Sequence, residues 1–229
     1  MSGAATRAVL LDIEGTVTSL RFATEVLFPY ARENMRSFLE RRGQEPGVRD
    51  DLELLLQEQS ADKLTGLTPP EYIAFLMDRD RKSTGLKALQ GRIWEEGFRA
   101  GALQGELYPD VAPAFARWRA QGRTIAIYSS GSVLAQRLVF SSTPQGDLTP
   151  HIAAYFDTTT GPKREAESYR KIAEALGLPP GDVLFVSDVA AELDAASAAG
   201  LQTALCVREA EVVAPAAHPV VTTFDSLAP

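Results

Sequence analysis

Short runs of consecutive apolar residues punctuate this chain, separated by longer stretches in which apolar positions recur every three or four residues. The candidate strands built on these runs are Ala8–Asp12, Thr124–Tyr128, a brief one at Ala154–Phe156, Val183–Ser187 and Thr203–Val207. A short apolar run bounded by polar residues suits a strand covered on both faces, as strands of a parallel sheet are. Each later run follows a helical pattern. That alternation predicts an α/β chain with a Rossmann-like parallel sheet, helices on its faces and right-handed crossovers.

The rhythm breaks once. From about Thr16 to Arg123 the chain runs far longer than one crossover helix needs. Its periodicity is helical throughout: Val26, Leu27, Tyr30, Met35, Phe38 and Leu39, then Leu52, Leu55 and Leu56, then Tyr72, Phe75 and Leu76, then Ile93, Trp94, Gly97 and Phe98. Thr68-Pro69-Pro70-Glu71 reads as a capping box with prolines in the first turn. A helix from about Asp110 to Gln121 leads back to the second strand. The expected organisation is a catalytic core of residues 1–19 and 106–229, with a helical cap of residues 20–105 inserted after the first strand. An insertion at that point is placed to act as a lid.

Composition narrows the chemistry. Net charge is −7 over 229 residues, which gives no reason to expect nucleic acid or anionic membrane as a partner. No N-terminal signal pattern or bilayer-length apolar stretch is present, so a cytoplasmic protein is expected. The single cysteine, Cys206, lies in an apolar run and reads as a core residue. His151 and His218 both adjoin prolines in loop-like surroundings, which argues against a Ser-His-Asp triad or a histidine-rich metal site. Acid–base work is left to carboxylates and a lysine.

The first strand ends in Asp12-Ile13-Glu14-Gly15-Thr16. Open α/β sheets place ligands at the carboxyl ends of their strands, and an Asp there beside a second acid suits a nucleophile with a helper near a hard cation. An Asp at that place also caps turns. The second strand runs into Tyr128-Ser129-Ser130-Gly131-Ser132. Ser132 is best placed as a helix N-cap, while Ser129 and Ser130 emerge with the strand and could cradle a phosphate. Lys163 follows Gly161-Pro162 just before a helix, where a cation opposes the helix dipole unless an anion is near. The fourth strand ends at Asp188, and Glu192 and Asp194 are read as solvent-facing positions of the next helix. Asp, Ser, Lys and Asp thus occur in order at successive strand ends and point into one crevice.

This ordered set resembles the haloacid dehalogenase superfamily of phosphatases: a nucleophilic Asp two residues before a second acid, then Ser or Thr, then Lys, then acidic metal ligands, matched by Asp12 and Glu14, Ser129 or Ser130, Lys163, and Asp188. The helical insertion matches the superfamily's cap. Glu14 stands where most of those phosphatases carry Asp. The stretches LLDIEGTVTSL, VLFPYARENM, GRIWEEGFRAG, LYPDV, YSSGS and FDTTTGPKREAESY are similar to the superfamily's enolase-phosphatase branch, of methionine salvage. Val207-Arg208-Glu209-Ala210-Glu211 departs from that branch's Arg-Pro-Gly-Asn-like segment. The resemblance implies a Mg²⁺ ion held by Asp12, Glu14 and Asp188, catalysis by Asp12 and Glu14, and phosphate binding by Ser129, Ser130 and Lys163. It implies as substrate a small phosphorylated diketone, which is enolised and then dephosphorylated through an aspartyl-phosphate, and a monomeric enzyme. Two other readings stand beside it: a cap-bearing phosphatase of the same superfamily acting on a sugar phosphate or phosphoglycolate, and a phospho-accepting receiver module, which needs no hundred-residue insertion.

Overall fold

A computed structural model describes residues 6–79, 81, 83–208 and 217–227. Six parallel strands form one sheet: β1 (Ala8–Leu11), β2 (Thr124–Tyr128), β3 (Ala154–Phe156), β4 (Val183–Ser187), β5 (Gln202–Cys206) and β6 (Val220–Val221). Their order across the sheet is β3-β2-β1-β4-β5-β6. The chain therefore builds outward from β1 in one direction, then returns to β1 and builds the other way. The reversal lies between β1 and β4, paired from Ala8 with Val183 to Leu11 with Val186. A crevice opens at the carboxyl ends of such a pair because the flanking connections leave to opposite faces.

Side-chain alternation makes the sheet the centre of two apolar layers. Val9, Leu11, Ile125, Ile127, Leu184 and Val186 pack on one face with Phe115, Trp118 and Phe140. Ala8, Leu10, Ala126, Tyr128, Val183 and Phe185 face the other side with Tyr169, Ile172 and Leu193. Between their first and last residues these strands are apolar at every position because neither face meets water. Cys206 is one of the buried residues, and burial pushes its thiol up to about 11, consistent with a packing role.

The chain divides into two compact units, Met1–Leu20 with Gln104–Pro229, and Arg21–Leu103. The first holds the sheet with α5 (Val111–Ala120), α6 (Val133–Ser141), α7 (Ala166–Ala175) and α8 (Ala190–Ala198). The second is helical: α1 (Phe28–Arg42), α2 (Pro46–Ala61), α3 (Pro69–Asp78) and α4 (Thr84–Arg99). A π-helical stretch, Phe22–Leu27, leads directly into α1. The capping box at Thr68 and Glu71 is formed. Buried Leu86, Leu89, Ile93, Trp94 and Phe98 line the inner face of α4. Among the described residues no helix is long and apolar enough to cross a membrane.

Candidate active site

Asp12 begins where the ladder of β1 ends. Its backbone N–H still donates to the Val186 carbonyl of β4 at 3.0 Å, so the residue is fixed at the reversal between the two strands. The carboxylate is 3 % exposed, and its Oδ1 accepts the Ile13 amide at 2.8 Å. Beyond it the chain folds into a tight turn. The Ile13 carbonyl accepts the amides of Thr16, Val17 and Thr18, and Gly15 N–H donates to the Thr18 carbonyl. Gly15 has φ +70°, and a Cβ there would lie 2.2 Å from Asp188 Oδ2. Position 15 is glycine for two reasons: the backbone is left-handed, and the Asp188 carboxylate occupies the space a side chain would need.

Lys163 is drawn inward to this turn. Its Nζ lies 2.7 Å from Asp12 Oδ1 and 2.7 Å from Glu192 Oε2. Three hydroxyls fix the loop that carries it: Tyr128 donates to the Gly161 carbonyl, Ser168 to that of Pro162 and Tyr169 to that of Lys163. The cation at the approach to α7 thus has its anionic partners, as the helix dipole requires. Burial works against the ammonium, yet the charges of Asp12 and Glu192 outweigh it and hold Lys163 above the ordinary lysine range. Ser187, the last residue of β4, lies 3.2 Å from Asp12 Oδ2 and 3.1 Å from Glu192 Oε2. Its one hydroxyl proton has two carboxylates within reach.

Glu192 is therefore not a solvent-facing residue. It is 9 % exposed, and burial followed by the Asp12 charge raises its pKa. The sequence carried a signal for it: positions 192, 195, 196 and 199 recur at helical spacing, and Ala195, Ala196 and Ala199 are all buried. Alanines mark a closely packed face, and Glu192 shares it. Asp194 does point outward, where His218 reaches it at 3.1 Å while its other ring nitrogen contacts Thr203. His218 lies in a loop before β6, as its neighbouring proline suggests, yet it is buried and ties that segment to α8.

Strand alternation separates the two serines. Ser129 is fully buried, and its hydroxyl donates to Glu14 Oε2 at 3.2 Å while accepting the Gly131 amide. Ser130 is exposed. Ser132 caps α6 by accepting the Ala135 amide. Asp188 stands two residues before α8, whose N-cap is Val189, so it is not the cap of that helix. Of the segment that departs from the expected pattern, Val207 and Arg208 are described, whereas Glu209, Ala210 and Glu211 lie outside the described residues.

Negative charge exceeds what Lys163 cancels. Asp188 is pushed up to about 6 by burial and by the Asp12 charge, and Glu14 is raised by the same two causes in the same order. Among the described residues no three carboxylate, imidazole or thiol side chains already converge as a closed metal shell. The donor set fits Mg²⁺ nonetheless. That ion is typically held by one or two carboxylates and keeps several waters, and Asp12 and Asp188 are two close, all-oxygen donors with an excess of negative charge.

A family model for haloacid dehalogenase-like hydrolases matches residues 6–200. An enolase-phosphatase E1 of Synechococcus elongatus is 53% identical over 209 residues, covering 87% of this chain and 88% of that one. Another, from Sorangium cellulosum, is 46% identical over the full length of both. The chain belongs to the enolase-phosphatase E1 family of haloacid dehalogenase-like hydrolases. The crystal structure of the UTR4 protein from Saccharomyces cerevisiae superposes with a TM-score of 0.81 at 33% identity, covering 97% of this chain and all of that one. As an enolase-phosphatase, the chain is an enzyme that handles a phosphate ester. The crevice between β1 and β4 is where its buried lysine meets several carboxylates.

Proposed function

We propose that this chain converts 2,3-diketo-5-methylthiopentyl-1-phosphate to 1,2-dihydroxy-3-keto-5-methylthiopentene and phosphate, with Mg²⁺ as cofactor. The observation that carries the reading is the buried Lys163 ammonium shared by Asp12 and Glu192 at the reversal of the sheet. The ammonium orients the Asp12 carboxylate and lies where a phosphoryl group approaching Asp12 would need a cation.

Asp12 attacks phosphorus, the bond from phosphorus to the substrate oxygen breaks, and an aspartyl-phosphate forms. Water then hydrolyses it and regenerates the carboxylate. Lys163 and Ser129, with Ser130 at the loop entrance, hold the phosphoryl oxygens. When bound by Asp12, Asp188 and Glu14, Mg²⁺ supplies positive charge for the phosphoryl oxygens and polarises the diketone. Because the substrate is enolised first, the departing oxygen belongs to an enol and leaves more easily than a simple alkoxide. Glu14 is then freed from acting as a strong acid and serves chiefly the metal. The helical unit Arg21–Leu103 is the cap that selects the substrate. The same reading makes the chain a cytoplasmic monomer.

The test is an assay of the full chain with Mg²⁺ and the diketone phosphate, following enol absorbance and phosphate together, with a sugar phosphate and phosphoglycolate in parallel. Preferred turnover of the diketone, with absorbance change and phosphate release, is expected. Faster turnover of either comparison substrate would overturn the substrate assignment.

A further inference from the structure

A second buried ion pair sits beside the catalytic turn and has no part in the chemistry above. Arg208, two residues beyond β5, places Nη1 2.7 Å from Asp110 Oδ2, and the two side chains are 6 % and 9 % exposed. Its Nε donates to the Thr16 carbonyl at 2.9 Å. The guanidinium lies 4.5 Å from the ring centres of both Tyr108 and Phe224. Asp110 is further engaged by the Phe224 amide and the Thr223 hydroxyl, and Tyr108 N–H donates to the Val17 carbonyl at 2.9 Å.

We propose that Arg208 is a positioning residue for catalysis: with Asp110 it clamps the Thr16 carbonyl and so fixes the turn that carries Asp12 and Glu14. Inside the turn, three amides converge on the Ile13 carbonyl. The Thr16 carbonyl takes its strong donor from outside the turn, from Arg208 Nε. Arginine suits this task because its planar fork engages Thr16 and Asp110 at once while its faces stack on two rings, which a lysine cannot reproduce. Tolerance at the turn is small, because Asp188 occupies the space beside the Gly15 Cα. Any roll of the turn moves Glu14 and breaks the approach of Asp188 together. A misplacement of about 1 Å at a reacting group can cost roughly a hundredfold in rate.

This inference rests on the proposed site and not on the identity of the substrate, so its test uses p-nitrophenyl phosphate alongside the diketone phosphate. Failure of the diketone alone removes the substrate assignment and leaves the clamp testable. Arg208→Gln and Arg208→Lys are compared with wild type well below their melting temperatures, by steady-state kinetics and by amide exchange of Gly15–Thr18 in metal-free protein. The expected result is a fall in kcat of about tenfold or more for Gln, with KM changed much less, faster exchange confined to the turn, and a smaller loss for Lys. A lower melting temperature with wild-type kcat and wild-type exchange in the turn would make Arg208 merely structural and overturn the proposal. If the Gln variant does not fold, the Lys variant decides: an unchanged kcat together with unchanged exchange overturns it.

Discussion

The two units treat charge in opposite ways. In the sheet unit, Lys163, Asp12, Glu192, Arg208 and Asp110 each have side chains no more than 12 % exposed. The sheet unit also has exposed pairs, such as Arg170 with Glu167, but in the helical unit every described ion pair keeps at least one partner a third or more exposed. Arg32 with Asp78 is 49 % and 59 % exposed, and Arg41 with Glu96 is 56 % and 33 %. Exposed pairs contribute little to stability because water screens them and long side chains must be ordered to make them. Buried pairs are expensive to desolvate, and removing one partner leaves the other stranded. The helical unit is held by its apolar faces and its charges can vary. The sheet unit retains ionic groups that packing alone would not select, and they cluster around one turn.

The contrast can be broken at the nucleophile first. Asp12→Asn should reduce phosphate release by at least about a thousandfold, as loss of a covalent nucleophile does. Some enolisation should survive, so absorbance would grow without phosphate; release at the wild-type rate would sink the assignment. Next is Lys163→Met, which strands two carboxylates. It should lower kcat by about a hundredfold or more and destabilise the fold by about 3 kcal/mol, read by denaturant titration. Glu192→Gln should be milder in both measures. Glu14→Gln should raise the Mg²⁺ concentration needed for half-maximal rate by about tenfold, as loss of one ligand would. An altered pH profile with an unchanged metal response would instead make Glu14 a proton donor.

Smaller effects sharpen the comparison. Asp188, raised to about 6 in the folded chain by burial and by Asp12, binds its proton more tightly folded than unfolded. That favours the fold fully below the unfolded carboxyl pKa and is lost as pH rises through about 6. Metal-free protein should thus lose on the order of 1 kcal/mol between pH 5 and pH 7 from this half-buried group, after allowance for solvent screening. Asp188→Asn should weaken the trend, leaving the part of the same sign that the raised Glu14 and Glu192 contribute, and Mg²⁺ should stabilise the wild type more at pH 7 than at pH 5. Thermal melts with and without chelator measure both. The smallest change belongs to the helical unit: Arg32→Gln should alter stability by less than about 0.5 kcal/mol and leave kcat unchanged. A large effect there would erase the distinction between the units.

Legibility followed the range of the forces involved. The strands β1 to β5 and the helices were readable because burial on two faces, or on one stripe, leaves a local pattern. β6 was missed because its two residues, Val220 and Val221, are too few to show one, and Val220 is exposed at the sheet edge. The π-helical stretch Phe22–Leu27 was read as ordinary helix, since a single turn does not separate their periods. The meeting of Asp12 with Lys163 agrees with their order along the chain, one directly after β1 and the other on the loop between β3 and α7. The burial of Ser129 and the exposure of Ser130 depend on how the chain leaves β2, which tertiary packing decides. Glu192 differs from its expected exposure because a charge on a helix usually seeks water, whereas here its partner Lys163 lies 29 residues earlier on another loop. The strand order, and with it the reversal at β1, depends on tertiary pairing and leaves no trace in local sequence.

Gly15 carries one more consequence. Asp188 Oδ2 stands where the first carbon of a side chain at position 15 would be, so the two positions are sterically coupled, and a side chain at 15 requires the carboxylate to move. Aspartate is already the shortest carboxylate, and no shorter acid exists to make room for alanine at 15. No pair of substitutions can restore both the backbone bend and the acid. A library randomised at both places should return one combination, the pair already present, however stable the rest of the fold is made.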